Sequence, residues 1–273
     1  MERAMIFDIQ HASVVDGPGL RTTVFFKGCN MKCKWCHNPE SQAYEKQVMF
    51  HKEKCTGCGR CKNISRSDIN FICFNDAREV CGKEYSADEV LENVVSDKAF
   101  YDNSGGGVTF SGGECMLQID FLAEILKKCK SAGLHTAVDT AGNVPWDYFE
   151  KILPYTDLFL YDIKAVDNEI HKNFTGISNN LILNNLTGLF ARTANIRIRI
   201  PIIPGVNDTT AETQNIKKFL SEYKPLEIEL LPYHSMGEHK YDALNMKMTN
   251  FKTPTQSAID KLKLSYEEIT KKS

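Results

Sequence analysis

Gly28-Cys29-Asn30-Met31-Lys32-Cys33-Lys34-Trp35-Cys36-His37-Asn38 gathers three thiols within eight residues, directly after the apolar run Thr23 to Phe26. Three soft ligands this close can share one metal centre. Thiolate clusters select zinc, cuprous copper or iron-sulfur, and a protein that fills every position of zinc or of a ferredoxin cube supplies a fourth ligand. No fourth cysteine stands nearby. A four-iron cube on three cysteines leaves one iron open to a small molecule that chelates through amino and carboxylate groups, so this spacing predicts a site for chemistry.

Around that stretch the composition is ordinary. At 273 residues, 42% hydrophobic and 25% charged, the chain suffices for one large domain with a full core, and a second unit would have to be small. A formal net charge of −2 offers no general attraction to nucleic acid or to an anionic membrane, and neither is expected as a partner. Met1-Glu2-Arg3-Ala4 opens without an apolar h-region, and no run approaches about 18 apolar residues, so a cytoplasmic protein is expected. Most of the ten cysteines fall in two tight clusters, which suits metal ligation in a reducing, anaerobic compartment better than disulfides. Cys115 and Cys129 read as small buried hydrophobes.

Ala4 to Val15 reads as an edge strand running into the turn Asp16-Gly17-Pro18-Gly19. Thr23 to Phe26 is the first core strand and delivers the cysteine loop at its C-terminal end, where βα barrels carry their sites. Residues 42–85 change character: polar, basic, five cysteines and no sustained period, an insertion folded around metal. Ser86 and Glu89 form a capping box that opens a helix through about Lys98. Strands then follow at Val108 to Phe110, His135 to Asp139, Leu158 to Ile163, Ile196 to Ile202 and Leu226 to Leu231. Helices fall between them at Phe121 to Ala132, stopped by Gly133, at Trp146 to Leu153, across Asn168 to Ala194 and at Thr209 to Glu222. Six strands, each followed by a helix or turn, predict an α/β fold, a partial (β/α)6 TIM-like barrel with a parallel sheet.

Cys-x3-Cys-x2-Cys with Trp35 before the last cysteine resembles the pattern of radical S-adenosylmethionine (SAM) enzymes. Asp16-Gly17-Pro18-Gly19-Leu20-Arg21, His37-Asn38 and Ser111-Gly112-Gly113-Glu114 narrow the resemblance to the glycyl-radical enzyme activating enzymes, relatives of pyruvate formate-lyase activating enzyme. It covers all but the insertion, which makes 1–41 and 86–273 a radical SAM core. It implies an oxidoreductase that holds a catalytic 4Fe-4S cluster on Cys29, Cys33 and Cys36, cleaves SAM reductively and places a glycyl radical on a partner enzyme. Gly112, Gly113 and Glu114 look like the motif that takes the SAM amino group. Asp139-Thr140 and Asp162-x-Lys164 look like the surroundings of the SAM carboxylate, with a monovalent cation as a further ligand, and Arg199 and His234 match other SAM-contacting positions. His37 is placed with them, and Trp35 either packs on the adenine or belongs to the core. Ala141-Gly142 stands where relatives have Asn-Gly, and Cys115 where proline is common. The resemblance further implies flavodoxin or ferredoxin as electron donor, and a monomer. Two rivals stay open: a radical SAM enzyme acting on a small molecule, and an electron-transfer protein.

Within the insertion, Cys55-x2-Cys58-x2-Cys61 follows the ferredoxin run C-x2-C-x2-C-x3-C-P, but Ser65-Arg66 stand where the fourth cysteine and proline are expected. Cys73-Phe74-Asn75-Asp76-Ala77-Arg78 looks like the tail of a second run whose other cysteines are missing. What survives is one complete set, Cys55, Cys58, Cys61 and Cys73, predicting one auxiliary 4Fe-4S cluster in a ferredoxin-like insertion. Cys81 is the alternative to Cys73, and structural zinc is the alternative to the cluster.

Overall fold

Apolar, β-branched strands alternating with amphipathic helices bury both faces only when the strands run parallel beneath covering helices. The computed structural model describes residues 2–193 and 195–270. In chain order its strands and helices are β1 (Arg3–Ser13), β2 (Arg21–Phe26), β3 (Gln47–Phe50), β4 (Arg78–Cys81), β5 (Lys83–Ser86), α1 (Ala87–Val95), α2 (Lys98–Ser104), β6 (Gly107–Gly112), α3 (Ile119–Ser131), β7 (Thr136–Thr140), α4 (Trp146–Ile152), β8 (Leu158–Asp162), α5 (Asn168–Thr175), α6 (Asn180–Phe190), β9 (Ile196–Ile202), α7 (Thr210–Leu220), β10 (Glu227–Pro232), α8 (Glu238–Leu244) and α9 (Gln256–Thr270). The main sheet has the order β10-β9-β8-β7-β6-β2-β1-β5. From β2 to β10 every pairing is parallel. The sheet is open, with β10 and β5 as its terminal strands.

Those six parallel strands fall where the hydrophobic runs lie, because alternation gives each strand one face for the helices. Ile196, Ile198 and Ile200 of β9 join Val24, Phe26, Phe110, Val138 and Tyr161 in one core, together with Leu122, Ile125 and Leu126 of α3 and Leu186 and Leu189 of α6. Each large side chain buried there contributes about 1.5–3 kcal/mol. The intervening positions, Thr23, Thr109, Ser111, Asp139 and Arg199, are polar and bond to one another or to Asp16 on the other face.

Several expectations change. β1 is not an edge strand: it pairs antiparallel with β2 on one side and with β5 on the other. β5 therefore brings Lys83, Glu84 and Tyr85, read as insertion, into the main sheet, with Ile6 opposite Lys83 and Arg3 opposite Ser86. The capping box forms, Ser86 Oγ accepting from Glu89 N–H while the Glu89 carboxylate accepts from Ser86 N–H. The helix it opens ends at Val95, and α2 starts afresh after Asp97. The helices expected across Asn168 to Ala194 do form, as two with Gly176 between them, and Ala194 itself lies outside the described residues. α8 and α9 were not anticipated; Ile259 and Tyr266 of α9 are buried in the main core.

Between β3 and β4 the insertion is a single 3-10 turn at Lys52–Lys54 followed by turns and irregular backbone. These two strands form an antiparallel ribbon, and its Met49 and Cys81 pack against Ala243 of α8. No helix among the described residues is long and apolar enough to cross a membrane.

Candidate active site

β2 ends at Phe26, and Gly28 turns the chain out of the sheet with φ +97°. The cysteine loop that follows is fixed by its backbone. Gly28 N–H donates to Ser41 O (2.7 Å) and Cys29 N–H to Gln42 O (3.2 Å). Lys32 and Lys34 donate to Thr175 O (2.8 Å) and Phe174 O (2.9 Å) at the end of α5, and Cys36 N–H donates to Cys33 O (3.1 Å). From α8, the Tyr241 hydroxyl donates to Cys36 O (2.9 Å) and Lys240 Nζ to Asn38 Oδ1 (2.7 Å). Burial pushes the thiols of Cys29 and Cys33 up to about 12 and raises Cys36 as well. Thiolates therefore form here only with a cation to compensate them, which is what an iron or zinc ligand set requires.

The cation nearest to hand is Lys164, on the loop after β8, paired with Asp162 at 2.8 Å. Burial alone would lower this ammonium, but Asp162 and the neighbouring Cys33 thiol overturn that and raise it. Next along the rim, Asp139 accepts from Ser111 Oγ (2.7 Å) and from Arg199 Nη1 (3.2 Å). Arg199 also faces Asp16 at 3.8 Å and Glu229 at 3.5 Å, and donates to Val15 O at 3.4 Å. One guanidinium thus serves three carboxylates. Burial pushes Asp139 up to about 6 against the pull of Arg199, with Asp162 adding to the rise, and its Oδ1 has no hydrogen-bond partner.

Gly113 N–H donates to Phe26 O (2.9 Å) and Glu114 N–H to Gly28 O (2.8 Å), so the end of β6 is bonded directly to the start of the cysteine loop. The Glu114 side chain turns inward. Its carboxylate accepts from Thr140 Oγ1 at 2.8 and 2.9 Å, from Met116 N–H at 3.2 Å and from Ala141 N–H at 3.0 Å. On the far side of the loop the rings of His37 and His234 meet edge-to-face at 4.6 Å, while Trp35 lies 6.1 Å from both Phe174 and Phe251.

A radical SAM superfamily model matches residues 23–215. The chain is 42% identical to trans-4-hydroxy-L-proline dehydratase activating enzyme of Clostridioides difficile, with 96% of each chain covered. To choline trimethylamine-lyase activating enzyme of Oleidesulfovibrio alaskensis it is 37% identical, over 94% of this chain and 92% of that one. The chain belongs to the glycyl-radical enzyme activating enzymes of the radical SAM superfamily. Among solved structures, a domain of pyruvate-formate lyase-activating enzyme from Bacteroides vulgatus is 32% identical and covers 60% of this chain and 94% of its own, with a TM-score of 0.51.

Membership implies a 4Fe-4S cluster and SAM, and the donor set can be tested against both. Among the described residues no three His, Cys, Asp or Glu side chains converge on single-ion geometry. A cube takes one thiolate per iron and does not need them to converge. Lys164 supplies a buried cation beside these thiols, and Asp139 Oδ1, which has no hydrogen-bond partner, supplies an acceptor on the same rim, where Arg199 Nε faces Glu229. A ligand carrying both carboxylate and ammonium groups suits that pairing.

Gly112, Asp139, Thr140 and Asp162 stand at the ends of their strands, with Gly113 and Lys164 just beyond; Arg199 lies mid-strand in β9, not at the expected strand end, and joins this rim through its ion pair with Asp139. Trp35 sits in an aromatic packing environment. The carboxylate of Glu114 is spent on Thr140 and the backbone, which leaves its main chain as the part facing the loop.

In the insertion, Cys55, Cys58, Cys61 and Cys73 line one cavity of about 140 Å³. Cys81 does not; it is buried in β4 against Met49 and Ala243. The backbone N–H of Asn75, with those of Ala77 and Arg78, holds the Cys73 thiol below its ordinary value. Sequence reasoning missed Tyr241 and Lys240, whose neighbouring positions on the short helix α8 carry no periodic signal, and Ser111, which reads as part of a glycine turn.

Proposed function

We propose that the chain is an activase: it cleaves SAM reductively and generates a glycyl radical on a partner glycyl-radical enzyme. The carrying observation is the clamped loop that presents Cys29, Cys33 and Cys36 beside Lys164. Cys29, Cys33 and Cys36 would hold a 4Fe-4S cluster, which would supply the electron for reductive cleavage of SAM to methionine and a 5′-deoxyadenosyl radical, and that radical would take a hydrogen atom from a backbone glycine of the partner.

The protein's own part is binding and positioning. Lys164, held by Asp162, would meet the SAM carboxylate, and the backbone around Gly112-Gly113 its amino group. Arg199 holds Asp139 in place on the same rim, and Asp139 with Thr140 offers oxygen ligands to a monovalent cation. His37 and His234 stand together beside the loop, and Trp35 packs with Phe174 and Phe251. No general base is needed, since the chemistry is electron entry and hydrogen-atom transfer, so these residues act through proximity. The four cysteines of the insertion hold one auxiliary 4Fe-4S cluster, a reading supported by their shared cavity.

Anaerobic incubation of the reduced, reconstituted chain with SAM tests this. 5′-Deoxyadenosine should appear, and Cys29→Ala, Cys33→Ala or Cys36→Ala should abolish it. A variant retaining normal production would overturn the site. A glycyl-radical signal on the partner in electron paramagnetic resonance distinguishes the activase from an enzyme acting on a small molecule.

A further inference from the structure

The insertion carries a charge of its own. Between residues 52 and 66 stand Lys52, Lys54, Arg60, Lys62 and Arg66 against the single carboxylate Glu53, a local net charge of +4 in a chain whose formal net charge is −2. All five cations are exposed, as are Cys55 and Cys58 among them. Arg60 and Phe74 line the cysteine cavity together, the guanidinium 3.9 Å from the ring centroid, and Arg66 lies 5.5 Å from the ring of Phe50, which lines it too. The residues flanking Cys73 are apolar and in the open: Ile72 is 75% exposed and Phe74 74%. A basic rim around two apolar tips is the anatomy of a small, transient interface, where charge steers the encounter and a little apolar contact holds it.

We propose that this face of the insertion, the basic rim of residues 52–66 with Ile72 and Phe74, is the docking surface for a small acidic one-electron carrier protein. Charge complementarity chooses the occupant. Low-potential carriers such as flavodoxin are acidic, and the basic stretch of residues 52–66 on a weakly acidic chain attracts them to this face. The placement rests on the reading of the four cysteines as a cluster site, since a carrier gains by docking where a redox centre is near the surface, but the docking itself can be measured without turnover.

The test titrates flavodoxin into the full, reconstituted chain by calorimetry. Affinity should weaken at least about tenfold between about 20 and 200 mM salt, because exposed charges are screened over about a Debye length. Lys54→Glu with Lys62→Glu, neither of which lines the cavity, should weaken binding at low salt by about tenfold or more, with iron content unchanged. The control pair Lys261→Glu with Lys263→Glu, exposed on α9, should leave it unchanged. Salt-independent binding by the unmodified chain would overturn the proposal even if the double variant failed to fold. So would equal weakening by both pairs, which would mean general charge attraction. Charge-dependent docking by a chain that holds zinc in the insertion would sink the cluster and leave the docking surface standing; a full complement of iron with charge-independent binding would do the reverse.

Discussion

At Glu114 a carboxylate sits out of water, 1% exposed, with one hydroxyl and two backbone N–H groups as partners. Burial outweighs those bonds and pushes it up to about 7. A carboxyl whose folded value lies above its unfolded one binds more protons in the folded state, so its contribution is most favourable below about 4.5 and is lost as pH rises towards 7. The shift amounts to roughly 3 kcal/mol across that window. Melting temperatures of the unmodified chain and of Glu114→Gln, compared between about pH 4.5 and 7.5, should diverge in slope, the variant losing less stability as pH rises. Parallel curves would show that Glu114 titrates elsewhere. At this scale the sequence announces the cysteines and the strand-end polar residues, because ligand spacing and rim position are local properties. The Glu114–Thr140 bond and the Tyr241–Cys36 bond are not local; they join residues 26 and 205 positions apart and need the fold to be seen.

Among the elements, the glycine pair after β6 has a reason in the fold beside the one read from sequence. Read from sequence, Gly112-Gly113 frees backbone for a ligand, but the backbone pressing on it is the protein's own. A Cβ at 112 would lie 2.2 Å from Phe26 N and 2.3 Å from Phe26 O, and one at 113 would lie 2.3 Å from Gly28 O. With φ at +120°, Gly112 could not accept a side chain even in open space. Gly112→Ala should therefore cost about 3 kcal/mol or more and spread β6 from β2 where the cysteine loop begins, lowering iron uptake on anaerobic reconstitution. Gly133→Ala, at φ +74° with nothing within 4 Å, should cost about 1 kcal/mol and leave iron uptake intact. Thermal melts with iron assays decide, and equal effects of the two would refute the packing account. Longer elements were legible because period-two and 3.6-residue patterns accumulate over length. β5 has four residues, too few for a period to show, and the break at Ser96-Asp97 that splits α1 from α2 carries no glycine or proline.

For the whole molecule, the order of six parallel strands follows from alternation of strand and helix, since parallel neighbours need crossovers and crossovers need helices. The insertion obeys no such rule. It has a two-stranded ribbon and a core of Met49, Cys81 and Ala243 shared with α8, too little burial to order some forty residues unaided. On the proposed reading metal supplies the difference, and four thiols around one cavity would give it the means. Anaerobic reconstitution should then yield about eight irons per chain, four for each cube. The triple variant of Cys55, Cys58 and Cys61 to alanine should keep about four and retain the circular dichroism of the α/β sheet, because β1, β2 and β5 to β10 do not depend on the ribbon. Cys73→Ser should lose iron and Cys81→Ser should not, since only the first thiol faces the cavity and receives backbone N–H bonds. Twelve irons, or no loss in the triple variant, would refute a single auxiliary cluster; zinc in the unmodified chain would make the insertion a structural metal site.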